Sequence, residues 1–109
     1  MGKVTNITQA KFSVGALVHH RLFDYRGVIV DVDHNFQATD EWYEDVAKSR
    51  PPKNRPWYHV LVHESDHSTY VAEQNLEADD VLQPINHPMV EHFFCKFDHG
   101  RYVRIDADN

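Results

Sequence analysis

The sequence predicts a mainly β fold: a small antiparallel barrel with one inserted short helix and a C-terminal helix. Residues 28–33 alternate valine with other side chains, and this period of two is typical of a half-buried strand. A second short apolar run is centred on Val18, and Gly15 and Gly27 mark the ends of this region. Because glycine readily adopts the backbone angles of a sharp bend, the region predicts the first hairpin of the barrel.

The strands are predicted in chain order from this hairpin. In the second strand we expect the three valines to share one face, with Asp31 and Asp33 on the other. Residues 58–62 and 69–72 predict the third and fourth strands, joined by a polar turn. A tight turn follows at residues 74–76. The sequence predicts a fifth strand or an extended cover around Val81 and Leu82, and a last strand at residues 102–105.

Two helices are predicted. Residues 39–48 have Thr39 as a suitable N-cap, two acidic residues in the first turn, and apolar side chains spaced by four. Three prolines between residues 51 and 56 end this helix. Residues 88–97 predict the C-terminal helix, because Pro88 suits the first helical position and an apolar face follows it.

The length of 109 residues predicts one domain, which we place at residues 12–105 between a flexible leader (1–11) and a frayed end (106–109). The single Cys95 excludes an intramolecular disulfide and a multi-cysteine zinc site. No apolar run approaches the ~18 residues of a membrane span, and the first residues lack the apolar core of a signal peptide. We therefore expect a cytoplasmic protein.

The formal net charge of −6 disfavours a dedicated nucleic-acid binder, because neutralisation of phosphates dominates such affinity. DNA contact would need a local basic patch, and the proline-rich loop carries the one basic cluster, which is equally consistent with a solvated loop. Arginines of the first hairpin and two aromatic residues beside the loop complete the patch. The candidate DNA-binding residues are Arg21, Arg26, Lys48, Arg50, Lys53, Arg55, Trp57 and Tyr58.

No pattern of catalytic residues is present, and we predict that the protein is not an enzyme and needs no cofactor. Glu73 and Asn75 are expected to hold the turn backbone through their side chains. The spacing of His59, His63 and His67 crosses a strand and a turn, so we predict no metal site there. His20, on the face of Val18, is expected to be a buried, hydrogen-bonded structural histidine.

The apolar face of the C-terminal helix has two interpretations. It closes one end of the barrel, or it is partly exposed and contacts a partner or another copy of the chain. The residues of this face are Met89, Val90, Phe93, Phe94 and Phe97.

Several blocks of the sequence resemble the heat-shock protein HspQ family, also called the YccV-like or hemimethylated-DNA-binding domain. The resemblance runs from about Phe12 to about Pro88, and the tail beyond Pro88 has no match. The matching blocks are His20-Arg21-Leu22-Phe23, Tyr25-Arg26-Gly27-Val28-Ile29-Val30-Asp31-Val32-Asp33, Glu41-Trp42-Tyr43, Pro56-Trp57-Tyr58-His59-Val60-Leu61-Val62, Tyr70-Val71-Ala72-Glu73-Gln74-Asn75-Leu76 and His87-Pro88.

The resemblance implies an SH3-like barrel and a role in protein quality control. It implies a stress-response accessory protein that enhances degradation of unstable or denatured proteins by the ATP-dependent protease Lon, and that forms homo-oligomers, with a trimer as one possibility. The alternative is a DNA-binding module with preference for hemimethylated DNA. The matching blocks contain His20, Gly27, Glu73 and Asn75, and Gly15 lies within the range of the resemblance. We interpret these five residues as structural.

Overall fold

A computed structural model describes residues 9–105, so most of the predicted leader and all of the predicted frayed end lie outside the described residues. The described chain contains seven strands, two α-helices and one short 3₁₀ helix (Glu73–Asn75). The strands are β1 (Leu17–His20), β2 (Arg26–Asp33), β3 (Trp57–Val62), β4 (Ser68–Ala72), β5 (Leu76–Ala78), β6 (Phe94–Asp98) and β7 (Arg101–Arg104). The α-helices are α1 (Asp40–Val46) and α2 (Val90–Phe93).

The mainly β prediction is confirmed, and all the strand pairs are antiparallel. Five strands form one sheet in the order β4-β3-β2-β1-β5, and β6 and β7 form a separate hairpin. The large sheet is not closed into a barrel: β4 and β5 are its edges, because the last two strands pair with each other instead of bridging them. Within residues 9–105, this open arrangement leaves β4 paired with β3 on one side and with no strand on the other.

A β-bulge in β2 corrects the predicted distribution of its side chains. The register of β2 against β3 shifts between Ile29 and Asp31. Val28 and Val30 therefore pack on the side of the β6–β7 hairpin, whereas Val32 joins Ile29 in the cluster on the opposite side. Both faces of the sheet are covered at this point, so Val28 and Ile29 are both fully buried.

Helix α1 agrees with its prediction. Thr39 is the N-cap, and its hydroxyl accepts a hydrogen bond from the Trp42 backbone N–H at 3.1 Å. The helix packs on the sheet through Tyr43, whose hydroxyl donates to the Pro51 carbonyl at 2.6 Å. Tyr43 lies in an aromatic cluster with Phe36 and Trp57. The α1 segment is thereby fixed beside the β4 edge.

Two predictions for the second half of the chain, the C-terminal helix and the fifth strand, need correction. Helix α2 has only four residues, and the chain continues into β6, so the predicted helical face over residues 89–97 does not exist. Phe94 lies in the core beside Tyr102 of β7. The fifth strand also lies earlier than predicted: it begins at Leu76, whereas Val81 and Leu82 are outside any strand and half exposed. No helix in residues 9–105 combines the length and apolar character of a membrane span.

The predicted bend is present at Gly15, which lies in a turn with positive φ, but not at Gly27, and both glycines also permit a close backbone approach. A Cβ on Gly27 would lie 2.6 Å from the Leu61 carbonyl oxygen, and Gly27 lies inside β2 rather than at a bend. Gly15 has φ +95°, and a Cβ there would lie 2.2 Å from the Tyr102 carbonyl oxygen. Both glycines therefore serve the packing of the sheet, as structural residues.

Candidate functional site

Strand β4 is a free sheet edge that carries no charged residue, with the sequence Ser-Thr-Tyr-Val-Ala. Natural sheets usually protect their edges with charges, prolines, bulges or very short strands. The other described edges follow that rule: β5 has three residues and includes Glu77, and β6 and β7 both carry charged side chains. Strand β4 is therefore the least protected edge among the described strands.

The backbone of β4 presents unused hydrogen-bonding groups on its outer side. The Val62 N–H donates to the His67 carbonyl at 3.1 Å, which sets the alternation of the β3–β4 ladder. Thr69 lies opposite Val60, and Val71 lies opposite Tyr58. The backbone N–H and C=O groups of Thr69 and Val71 therefore point toward β3. The N–H and C=O groups of the remaining residues point away from β3. These outward-facing residues are Ser68, Tyr70 and Ala72.

A groove of about 710 Å³ runs along this edge. Thr69 and Val71 line it from one face of the sheet, and Tyr70 and His59 line it from the other, so the groove wraps around the strand. A volume of this size lies within the roughly 300–1,000 Å³ typical of ligand sites in proteins.

Two apolar lips flank the groove. One is the β1–β2 loop, where Leu22 is 58% exposed and Phe23 is 74% exposed. The other lip is the α1 side, where Val46 is 53% exposed and Trp42 is half-buried. Exposed large apolar side chains gathered beside one groove are typical of a docking surface rather than of random surface composition. The sequence analysis did not identify this lip set, because its members come from separate segments of the chain.

The charge of the groove differs from that of the whole chain. Its lining includes Lys48 and the two histidines His20 and His59, and it includes no aspartate or glutamate. The chain as a whole has a net charge of −6. The groove is therefore a neutral to basic strip on an acidic protein.

His20 holds the β1–β2 lip in place, which confirms the prediction of a buried, hydrogen-bonded histidine. Its side chain is buried, and its Nδ1 accepts hydrogen bonds from the backbone N–H groups of Leu22 (3.1 Å) and Phe23 (3.0 Å). The Phe23 ring stacks on the imidazole with centroids 4.7 Å apart. Burial, reinforced by the neighbouring His19, lowers the pKa of His20, so the neutral imidazole remains the acceptor.

His19, on the opposite face of β1, has the reverse electrostatics. Its ring nitrogens lie 2.6 Å from an Asp24 carboxylate oxygen and 2.8 Å from a Glu77 carboxylate oxygen. Hydrogen bonds to these two carboxylates raise the pKa of His19. The pair of histidines therefore fixes both ends of the turn that carries the lip.

The predicted basic loop is partly neutralised by α1. Arg50 pairs with Glu44 at 2.7 Å, and Lys53 pairs with Asp40 at 3.2 Å. The Lys53 ammonium also lies 4.3 Å from the centroid of the Tyr43 ring, a cation–π contact that ties the loop to the helix. Two of the four cations of the loop therefore have structural partners.

The remaining candidate DNA contacts differ from their prediction. Arg26 is half-buried, with Nε 3.0 Å from an Asp79 carboxylate oxygen and Nη2 2.5 Å from the Gln83 carbonyl oxygen. Trp57 is 1% exposed and Tyr58 is 0% exposed, so neither ring is available to stack on a base, which contradicts that interpretation. Among the candidate residues, three cations are exposed and form no ion pair within residues 9–105: Arg21, Lys48 and Arg55.

Glu73 is structural, but its carboxylate bonds to other segments of the chain and not, as predicted, to the turn backbone. The Asn75 side chain likewise donates to the Ser49 hydroxyl at 3.4 Å. The Glu73 Oε2 accepts the Tyr58 hydroxyl at 2.5 Å and the Lys11 backbone N–H at 2.8 Å. Burial and this carboxylate raise the pKa of Tyr58, so its hydroxyl stays protonated as a donor. In the same turn, the Asn75 carbonyl accepts the Arg21 backbone N–H at 2.8 Å. These contacts fix the 3₁₀ turn and the start of the β1–β2 lip.

One side-chain group offers metal-ligand atoms. Asp31 and Asp33 on β2 and His59 on β3 place their ligand atoms within 4.8 Å of one another. Asp33 accepts the Tyr70 hydroxyl at 2.6 Å and lies 3.3 Å from His59 Nε2. Hydrogen bonds thus account for this arrangement without a cation. Of the three evenly spaced histidines, His59 belongs to this group, whereas His63 Nδ1 accepts a hydrogen bond from the Asn86 backbone N–H at 2.8 Å.

The five residues of the predicted partner face divide between core and surface. Phe94 is buried, and Val90 and Phe97 pack partly against the same core cluster. Met89 and Phe93 are exposed. This surface is therefore much smaller than the continuous face expected from an eight- to ten-residue helix, and it lies on elements other than those that line the β4 groove.

Comparison with protein families gives one match of broad extent. The family described as "Hemimethylated DNA-binding protein YccV like" matches residues 10–101, which cover most of the chain and every strand of the large sheet. The match includes β4, the two lips of the groove and the basic loop. It also continues past Pro88 to residue 101, which corrects the expectation that the tail beyond Pro88 has no match.

Proposed function

This chain belongs to the YccV-like family, a family of binding domains, and we propose that it is a non-enzymatic accessory protein of protein degradation. In this proposal it binds unstable or denatured proteins in the cytoplasm and enhances their degradation by the ATP-dependent protease Lon. The observation that carries the proposal is the groove along β4, with its uncharged edge and two exposed apolar lips.

The chemistry of the groove suits a denatured protein better than a small polar ligand. A denatured chain exposes apolar side chains and unpaired backbone amides, and the groove offers partners for both. Anchors of the size of Phe23 and Leu22 dominate binding energy when they enter a desolvated contact.

Degradation of an unfolded test protein by purified Lon, with ATP and increasing amounts of this protein, tests the proposal. We expect a dose-dependent acceleration that disappears in the Leu22→Ser/Phe23→Ser variant. The matched control is Val81→Ser/Leu82→Ser, which removes apolar side chains of similar exposure away from the groove. Unchanged degradation rates across several unfolded substrates would overturn the proposal.

A second candidate function is binding of hemimethylated DNA, and the family description favours it. The exposed cations Arg21, Lys48 and Arg55 are the side chains available for phosphate contacts. About three such contacts give a slope of roughly −3 for the logarithm of affinity against the logarithm of salt concentration. Binding of this type is weak at physiological salt and largely insensitive to base sequence.

Charge reversal at Arg21 and Arg55 separates the two functions. We expect Arg21→Glu/Arg55→Glu to abolish DNA binding and to leave the stimulation of Lon intact, because neither side chain lines the groove. Lys53 is unsuitable for this test, since a glutamate there would face Asp40 and disturb α1. Retention of DNA binding by the double variant would exclude these arginines from the DNA contact.

Self-association is proposed through the small surface formed by Met89 and Phe93. A trimer is the assembly expected from the resemblance to HspQ. Sedimentation of the wild type and of Met89→Ser/Phe93→Ser tests this contact without disturbing the buried Phe94. A wild type that sediments as a monomer at all concentrations would contradict it.

A further inference from the structure

We infer that β4 binds an extended segment of the denatured partner as an added sheet strand, and that this segment carries an acidic residue beside its apolar side chains. The inference rests on the proposed function, because it specifies how the groove recognises its substrate. Of the outward-facing residues of β4, Ser68 and Tyr70 supply the backbone donors and acceptors for the added strand, because Ala72 is buried beside α1.

The geometry of the groove favours an extended chain over any other backbone conformation. Side chains from both faces of the sheet line the groove, so its axis follows the free edge of β4. Successive side chains of an added strand point to opposite faces. One alternate set would therefore contact the lip with Phe23, and the other would contact the lip with Val46. Both lips are apolar, which predicts a preference for β-branched side chains that present methyl groups to both lips, as valine and threonine do.

Charge complementarity points to a separate polypeptide rather than to a second copy of this chain. The groove contains Lys48 and no carboxylate. Two copies paired through their β4 edges would bring two such grooves together, each basic and each without an acidic partner. A denatured segment with an aspartate or glutamate supplies the missing negative charge for Lys48.

Hydrogen exchange at single amides measures strand addition directly. The probe is a synthetic peptide of about ten residues that alternates valine and threonine and has glutamate at each end, long enough to span the five residues of β4. We expect the amides of Ser68 and Tyr70 to exchange rapidly in the free protein, whereas Ala72 is buried beside α1 and is left out of the comparison. Saturation with the peptide should slow exchange at Ser68 and Tyr70 by at least about tenfold, because each gains a hydrogen bond.

The neighbouring strand residues provide an internal control. The amides of Thr69 and Val71 already bond to β3, so their exchange should be slow with and without the peptide. A Lys48→Glu variant should bind the glutamate-containing peptide at least about fivefold more weakly, and a peptide with glutamine at both ends should bind the two proteins equally. The same peptide with every amide N-methylated should not bind.

Three results would overturn the inference. Peptide binding without slower exchange at the Ser68 and Tyr70 amides would mean that the groove binds side chains alone. Exchange at these amides that becomes slower as the concentration of the free protein rises would mean that a second copy occupies the edge. Absence of peptide binding would exclude the groove as the site. None of these three measurements uses Lon. If Lon is stimulated but any of the three results is found, the accessory function stands and the strand-addition inference fails. If the peptide adds as a strand but Lon is not stimulated, the accessory function fails and the inference stands.

Discussion

The hydroxyl of Tyr58 gives the sharpest test of the account of how the groove is supported. Tyr58 is fully buried, and its hydroxyl donates to Glu73 at 2.5 Å and accepts the Phe12 N–H at 3.2 Å. Tyr58→Phe removes one oxygen and keeps the ring, its packing and its edge-on contact with Phe12. The substitution therefore isolates the hydrogen bonds that join the 3₁₀ turn to β3.

The expected loss follows from the type of bond. The bond from the Tyr58 hydroxyl to the charged Glu73 carboxylate is of a type that contributes about 1.5–3 kcal/mol to stability. The substitution also removes the acceptor of the Phe12 N–H. Glu73 keeps its bond from the Lys11 N–H, which limits the penalty for its carboxylate. We predict that the free energy of unfolding falls by about 2–3 kcal/mol, and that the melting temperature falls by about 10 °C. Urea unfolding followed by circular dichroism measures the first quantity.

The half-buried Tyr25 provides a comparison. The Tyr25 hydroxyl bonds to the neutral Thr69 hydroxyl at 2.7 Å, so Tyr25→Phe should cost only about 1 kcal/mol. Equal losses in the two variants would refute the argument that the Glu73 carboxylate strengthens the Tyr58 bond. A loss below about 0.5 kcal/mol for Tyr58→Phe would refute the structural role of Glu73 altogether.

Three further predictions concern the strand, the buried histidine and the lip. Gly27→Ala should destabilise the protein by at least about 2 kcal/mol in urea unfolding, because its Cβ would meet the backbone oxygen of Leu61. The stability advantage of the wild type over His20→Asn should be complete above pH 6.5 and should decline as the pH falls through the lowered pKa of His20, since protonation removes the acceptor. Unfolding at a series of pH values measures this decline, and an advantage that grows on acidification would contradict it. Leu22→Ser/Phe23→Ser should change stability by less than about 1 kcal/mol while it abolishes binding of the valine–threonine peptide.

Local pattern was sufficient to predict β1 to β4 and α1. The alternation in residues 28–33 and the Thr39 cap are signals contained within a few residues, and both elements occur where expected. The same alternation failed at Val32, because the bulge in β2 depends on the pairing with β3 and leaves no local signal. Burial of His20 was predictable from its shared face with Val18.

The candidate site was less predictable because it is formed by tertiary structure. The aromatic residues Trp57 and Tyr58 lie beside a basic loop in sequence, yet the covering of both sheet faces buries them. The apolar run after Pro88 satisfies a helical period, yet pairing with β7 makes its second part, from Phe94, a strand. The free β4 edge depends on the order of strands in the sheet, although the absence of charge in residues 68–72 was visible in the sequence.

Equilibrium binding of two fluorescent probes to three proteins tests the central claim most directly. The probes are an unfolded test protein and a hemimethylated DNA duplex at physiological salt. The proteins are the wild type, Leu22→Ser/Phe23→Ser and Arg21→Glu/Arg55→Glu. The account predicts that the wild type binds the unfolded protein, that the lip variant loses this binding, and that the charge variant retains it. Tight wild-type binding to the duplex alone, lost in the charge variant and kept in the lip variant, would contradict the account.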